Sequence, residues 1–171
     1  MNNNVLFATL LLSASAALTA GDALWNKDNN LGAWQSKANA TVVYNDQVLK
    51  VTDIKKDHQI VSPVIKLNAA DYNAVSITYR AKELKRSSGQ LFFAGSNGKF
   101  SGMNYWRIPA LRGDFKWHTL TLTGKNLRTP GSWEKCGTVT RLRLDAFDAE
   151  GGYLEISEIK FFKQADSDLK K

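Results

Sequence analysis

Between residues 41 and 162 the chain is built almost wholly of short stretches in which apolar and polar residues alternate, each closed by Gly, Asn, Asp, Ser or Pro. A period of two fits a strand with one face on a core and does not fit a helix. The candidate strands are TVVYN, QVLKVTD, QIVSPVIKLN, AVSITYRAK, GQLFFAGS, NYWRIPA, WHTLTLTG, VTRLRLDAF and YLEISEIKFF, all rich in Val, Ile, Thr and aromatics. No window of a dozen residues holds a helical period; LNAADYNAV is long enough for one turn between strands. The expected fold is therefore all-β: an antiparallel sandwich of the jelly-roll type.

Alternation also says which side chains turn outward. In AVSITYRAK, Val75, Ile77 and Tyr79 face the core and Ser76, Thr78 and Arg80 face away. In NYWRIPA, inward Trp106 and Ile108 leave Tyr105 and Arg107 on the other side. Leu142, Leu144 and Ala146 alternate with Arg143, Asp145 and Phe147. In the last strand Leu154, Ile156, Ile159 and Phe161 all read as inward, which breaks the period at Ser157-Glu158 and calls for a bulge there.

The first 20 residues, MNNNVLFATLLLSASAALTA, hold an apolar run from Val5 to Leu12 followed by small residues and resemble a secretory signal cleaved after Ala20. The run is too short to span a bilayer, so no stable membrane insertion is expected. The expected boundaries are a signal at 1–20, one β-sandwich at 21–163 and a polar tail at 164–171, with a secreted or periplasmic destination. The net charge of +7 favours anionic partners, although no block of five like charges occurs. With a single cysteine, Cys136, an internal disulfide is impossible, and the residue reads as half-buried and inert.

The segments FKWHTLTLTG and GSWEKCGTVTRLRLDAFDAEGGYLEISEIKFF, roughly residues 115–162, resemble the closing half of galactose-binding-like jelly rolls, the fold of many carbohydrate-binding modules. The resemblance implies a non-catalytic domain that binds a polysaccharide or glycan, with a separate secreted hydrolase as a companion. It implies Trp117 as a structural core residue. It also brings in a structural calcium near the termini, for which WNKDNN and DAFDAE offer oxygen ligands; their spacing matches no defined loop, so no metal or other cofactor is assigned.

Sugars present C–H faces and hydroxyl edges, so a binding surface needs aromatic plates beside bidentate polar groups. The outward set that could supply both is Arg80, Gln90, Phe92, Tyr105, Arg107, Arg143 and Asp145, with Trp133 added from the loop RTPGSWEKCG. The competing view is a solvated sheet face on which Arg143 and Asp145 form a surface ion pair. An extracellular adhesion or protein-interaction sandwich is the alternative in function. A small glycoside hydrolase is a further one, since Asp145, Asp148, Glu150, Glu155 and Glu158 cluster in sequence, yet no catalytic motif accompanies them. His58 and His118 lack metal-ligand spacing, and no nucleic-acid motif is present. NAT at Asn39 fits a glycosylation acceptor.

Overall fold

The computed structural model describes residues 23–29, 31–85 and 87–165; the signal-like segment lies outside them. Among the described residues thirteen strands are present: β1 (Ala23–Trp25), β2 (Gln35–Ala38), β3 (Thr41–Asn45), β4 (Val48–Thr52), β5 (Gln59–Val61), β6 (Leu67–Asn68), β7 (Ala74–Lys82), β8 (Gly89–Ala94), β9 (Phe100–Ile108), β10 (His118–Thr123), β11 (Thr138–Val139), β12 (Arg141–Asp145) and β13 (Tyr153–Phe162). They form two facing sheets, β2-β5-β12-β8-β9 and β10-β7-β13-β4-β3, the second also carrying β1 on β13; β6 and β11 pair separately. Every pairing is antiparallel. The fold is the all-β sandwich expected.

The inner faces are those the alternation selects, with Phe147 the exception: expected outward beside Arg143 and Asp145, it is 2% exposed. Val75, Ile77 and Tyr79 are buried from β7, Trp106 and Ile108 from β9, Leu142 and Leu144 from β12, and Leu154, Ile156, Ile159 and Phe161 from β13. The register of β13 against β7 shifts between Ile156 and Glu158, the bulge that four inward apolar residues require. The short helical turn after β6 spans Ala69–Asp71, with the Asn68 side chain accepting from the Ala70 N–H.

Three features differ from the sequence reading. Strands β1 and β2 were not expected: QSKA at β2 has little strand preference of its own and is held by pairing with β5. RLRLDAFDAEGGYLEISEIKFF reads in the sequence as two strands around a tight acidic-glycine turn, but β12 and β13 do not pair with each other. The DAEGG segment instead carries the chain from one sheet to the other, with Gly151 and Gly152 at φ of 83° and 85°. A Cβ on Gly152 would lie 2.6 Å from Leu84 Cδ2 and 3.2 Å from the Glu83 carbonyl, so only glycine fits.

The third difference is Trp133. The loop that holds it folds inward, and the indole is 1% exposed in the end of the core. Its ring stacks on Phe161 at 5.4 Å and 15° and meets Trp106 at 4.4 Å, while Nε1 donates to the Tyr72 carbonyl at 2.7 Å. Satisfying the indole N–H makes full burial affordable. Trp133 is a core residue and does not present a plate to a ligand.

Candidate functional site

Strands β12, β8 and β9 lie side by side, and their registers align the outward residues in rows. Arg143 is opposite Phe92, which is opposite Tyr105; Asp145 is opposite Gln90, which is opposite Arg107. Six of the candidate residues thus share one face of one sheet. Val61 of β5 continues the first row beyond Arg143.

The face has a floor and an upper layer. Phe92 is 6% exposed because the Arg143 guanidinium lies 3.9 Å above its ring centroid, with Phe100 flanking at 5.4 Å. Phe92 is therefore a support for Arg143, and the expectation that it is an open plate is corrected. The Tyr105 ring lies 5.0 Å from Phe92, tilted by 52°, and is half-buried; Arg107 is exposed. Arg143 Nη2 donates to Asp145 Oδ2 at 3.0 Å, whereas Arg143 Nε and Asp145 Oδ1 are buried without a protein partner. Unused buried polar atoms cost about 1–3 kcal/mol each, which offsets much of what such a pair contributes. Stability alone is a poor reason for the pair to be here.

Two depressions adjoin this face. Toward β2 and β5 a shallow trough of about 400 Å³ is lined by Gln35, Lys37, Val61, Val64 and Arg141 among others. At the opposite end Asp145 and Gln90 border a polar hollow of about 140 Å³ with Asp57, His58, Ser88 and Asp148. His58 is fully buried, lies 5.0 Å from the Phe147 ring at a tilt of 52°, and accepts the Ala146 N–H at Nε2. The hollow is smaller than the ~300–1,000 Å³ typical of ligand pockets and does not enclose a substrate.

Burial pushes Asp145 up to about 6; Arg143 draws it partly back and Asp57 adds to the rise. Between the ordinary 3.8 and about 6 the folded protein holds a proton that the unfolded chain has released. The associated stability is complete below that window and gone above it, on the order of 3 kcal/mol. His58 acts the other way: burial lowers its pKa, so stability falls as the unfolded chain protonates below 6.5. Comparing Asp145→Asn with the parent isolates the carboxyl, because both keep His58. Melting curves from pH 4 to 7.5 are expected to show the variant gaining on the parent as pH rises; a difference independent of pH would contradict the buried, proton-accepting Asp145.

Arg80 is not part of this set. It sits on β7 in the opposite sheet, where Nε donates to Glu155 Oε2 at 2.5 Å. Its guanidinium lies 4.5 Å from the Phe115 ring centroid and 4.9 Å from that of Trp117. Trp117, expected in the core, is 43% exposed, and Phe115 is 41% exposed. This second aromatic group is not evident from the sequence, because Trp117 immediately precedes β10, where a strand position suggests the core; the outward direction of Arg80 across from it is the available signal.

Asp145 and Glu155 face outward from different sheets, so these two acids do not flank a common cleft; Asp145 and Asp148 border the same small hollow. The residues also do not fit the calcium that the family resemblance brings in. Asp28 is ion-paired with Lys27 at 2.7 Å, and among the described residues no group of three or more His, Cys, Asp and Glu side chains is gathered for a metal. No helix among them is long and apolar enough to cross a membrane. Cys136 is half-buried, and burial raises its pKa.

No protein-family model and no curated protein matches the chain. Solved structures do. The low-affinity xylan binding module CBM86 from Roseburia intestinalis superposes with a TM-score of 0.52 at 14% identity, over 84% of this chain and 96% of that one. The family 11 carbohydrate-binding module of the cellulosomal cellulase Lic26A-Cel5E of Clostridium thermocellum gives 0.53 at 13%, over 84% and 95%. The K1 cleaved adhesin domain of Lys-gingipain from Porphyromonas gingivalis W83 gives 0.50 at 11%, over 84% and 99%. Likeness at these identities establishes the fold, the jelly-roll sandwich that carbohydrate-binding modules use, and leaves the ligand to the residues.

Proposed function

We propose that the chain is an exported, non-catalytic domain that binds a polysaccharide, with a preference for anionic chains, across the outer face of β12, β8 and β9. The observation that carries this is the row geometry: an accessible ring, Tyr105, beside the side chains of Gln90, Arg107, Arg143 and Asp145, on three paired strands. Such a set offers a stacking face and fork-shaped donors at fixed strand spacing, which suits successive sugar units. Arg107 and the neighbouring Lys37 and Arg141 give the face and its trough a cationic side away from Asp145, in keeping with the net charge of +7.

The test is affinity electrophoresis through gels containing neutral or acidic polysaccharides. Tyr105→Ala and Arg107→Ala are each expected to weaken retention by about tenfold, the loss of one good contact. Arg107 is exposed and its loss should change stability by less than ~0.5 kcal/mol, while Tyr105, half-buried on Phe92, should cost about 1 kcal/mol. Retention unchanged in the double variant would remove the site from this face, and no retention of the parent on any polysaccharide would remove the function.

An adhesion or protein-interaction role is the second reading, supported by the adhesin domain with the same fold and by the exposed Met103 and Val64. Pull-down of a protein partner without any glycan retention separates the two.

A further inference from the structure

We infer that the domain has a second ligand surface, on the outer face of the opposite sheet, which takes the carboxylate of an acidic sugar between Trp117 and Phe115. The inference rests on the reading that the chain binds glycans, and it concerns residues remote from Tyr105 and Arg107.

The registers of β7, β13, β4 and β3 lay a row across this sheet: Arg80 is opposite Glu155, which is opposite Lys50, which is opposite Val43. Trp117, one step beyond the His118–Tyr79 pair, continues the row on the far side of Arg80. In the next row Lys82 is opposite Tyr153, and Phe115 packs against Tyr153 at 5.9 Å. Glu155 is 2% exposed, and its two oxygens are taken by Arg80 Nε and the Tyr153 hydroxyl, which donates to it. Lys50 is tied to Asp46 at 2.6 Å.

What this leaves open is specific. The hydrogen bond of Arg80 runs through Nε, which leaves the end-on fork of its two Nη groups, with two parallel N–H donors, unused on a side chain 32% exposed. Holding Nε fixes the plane of the fork before any ligand arrives, which lowers the entropy cost of using it. The rings of Phe115 and Trp117 lie within 5 Å of the guanidinium carbon and remain two-fifths exposed. The four other tryptophans, Trp25, Trp34, Trp106 and Trp133, are buried.

The backbone supports the same conclusion. Phe115 stands at φ of 56°, in the left-handed region, and is anchored by its N–H to the Ala81 carbonyl at 2.8 Å. A bulky residue held there is strained and persists where surrounding structure enforces it. The Asp114 carboxylate enforces it by accepting from the Lys116 N–H at 3.0 Å and meeting His118 Nε2 at 2.7 Å. The effect is to keep the ring against Arg80 and in solvent.

A planar fork flanked by exposed rings matches a ring-shaped ligand that carries a carboxylate. The carboxylate takes two parallel N–H bonds, the rings cover C–H faces, and Lys82 adds a second cation. A hexuronate unit has these three features. A neutral sugar would desolvate the fork without supplying a charge, at a cost of the order of a buried unpaired donor.

Because the other tryptophans are buried, Trp117 reports on this surface. Acrylamide quenching of intrinsic fluorescence is measured with tetragalacturonate, with the same tetramer fully methyl-esterified, and with hexaglutamate. Tetragalacturonate is expected to shield Trp117 and lower the quenching constant about twofold; the ester and the peptide are not. Arg80→Lys keeps a cation beside Glu155 and removes the fork, so it is expected to weaken this effect by about tenfold in a protein with unchanged near-ultraviolet circular dichroism. Tyr105→Ala/Arg107→Ala should leave it intact. Unchanged quenching with tetragalacturonate, or equal shielding by the ester or by hexaglutamate, overturns the inference. If quenching fails while the parent is still retained by polysaccharide gels through Tyr105 and Arg107, only this second surface is lost; if both fail, so does the glycan-binding function.

Discussion

Trp133→Ala is expected to destabilise the domain by about 3–5 kcal/mol, the range for emptying a large aromatic site in a packed core. The indole fills the end of the sandwich among Phe93, Trp106 and Phe161, so its loss opens a cavity that three large rings cannot close without leaving their own positions. The Tyr72 carbonyl also loses the donor at 2.7 Å. Since whole domains are stable by only ~5–15 kcal/mol, the variant should denature at clearly lower urea. Trp133→Phe keeps much of the volume and loses the hydrogen bond, and should fall in between. If Trp133→Ala melted like the parent while losing glycan retention, Trp133 would be a binding residue and its core assignment would fail.

Arg80→Ala is the second large effect. Glu155 is a carboxylate 2% exposed on a sheet face, and burial by itself would raise its pKa. The hydrogen bonds from Arg80 and Tyr153, with the Arg80 and Lys50 charges, outweigh burial and hold it below the ordinary value. Deleting Arg80 leaves that charge with the Tyr153 hydroxyl and the more distant Lys50, and because Arg80 is itself a third exposed the loss is expected at the lower end of the ~3–5 kcal/mol typical of breaking a buried pair from one side. The sign with pH follows. In the parent, the lowered pKa gives stability that is present above 4.5 and lost as pH falls; in the variant burial prevails, so protonation relieves the stranded charge. The deficit of Arg80→Ala is therefore expected to be largest near pH 7 and to shrink toward pH 4 in urea titrations. A deficit that grows on acidification would contradict a carboxylate held charged by Arg80.

The extent to which the fold was legible follows from what carries each part of it. Where one face of a strand is buried and the other is not, the period of two names the inward residues, so β7 and β13 were bounded residue for residue and the bulge at Ser157-Glu158 was foreseen. β2 could not be read this way, because QSKA exposes nearly all its side chains and owes its conformation to β5. The candidate site was legible to the same degree. Tyr105, Arg107, Arg143 and Asp145 come together because β12 and β9 flank β8, and each lies on the outward parity of its strand.

Arg80 has the same parity, but parity does not say to which sheet a strand belongs; that depends on long-range pairing, and β7 pairs with β13. Trp133 and Trp117 were exchanged in role for a related reason. Loop composition suggested solvent for the first and strand position suggested core for the second, and both outcomes depend on tertiary packing: Trp133 finds a carbonyl for its N–H in the core end, and Trp117 finds the face of a guanidinium outside it.

The most direct measurement of the central claim is a map of backbone amide shifts in a 15N-labelled sample titrated with a soluble polysaccharide fragment that the gels retain. Shifts that saturate together at Gln90–Phe93, Tyr105–Arg107 and Arg141–Asp145 are the result this structure leads us to expect. Shifts confined to the ends of the sandwich, or none on β8, β9 and β12, would contradict it.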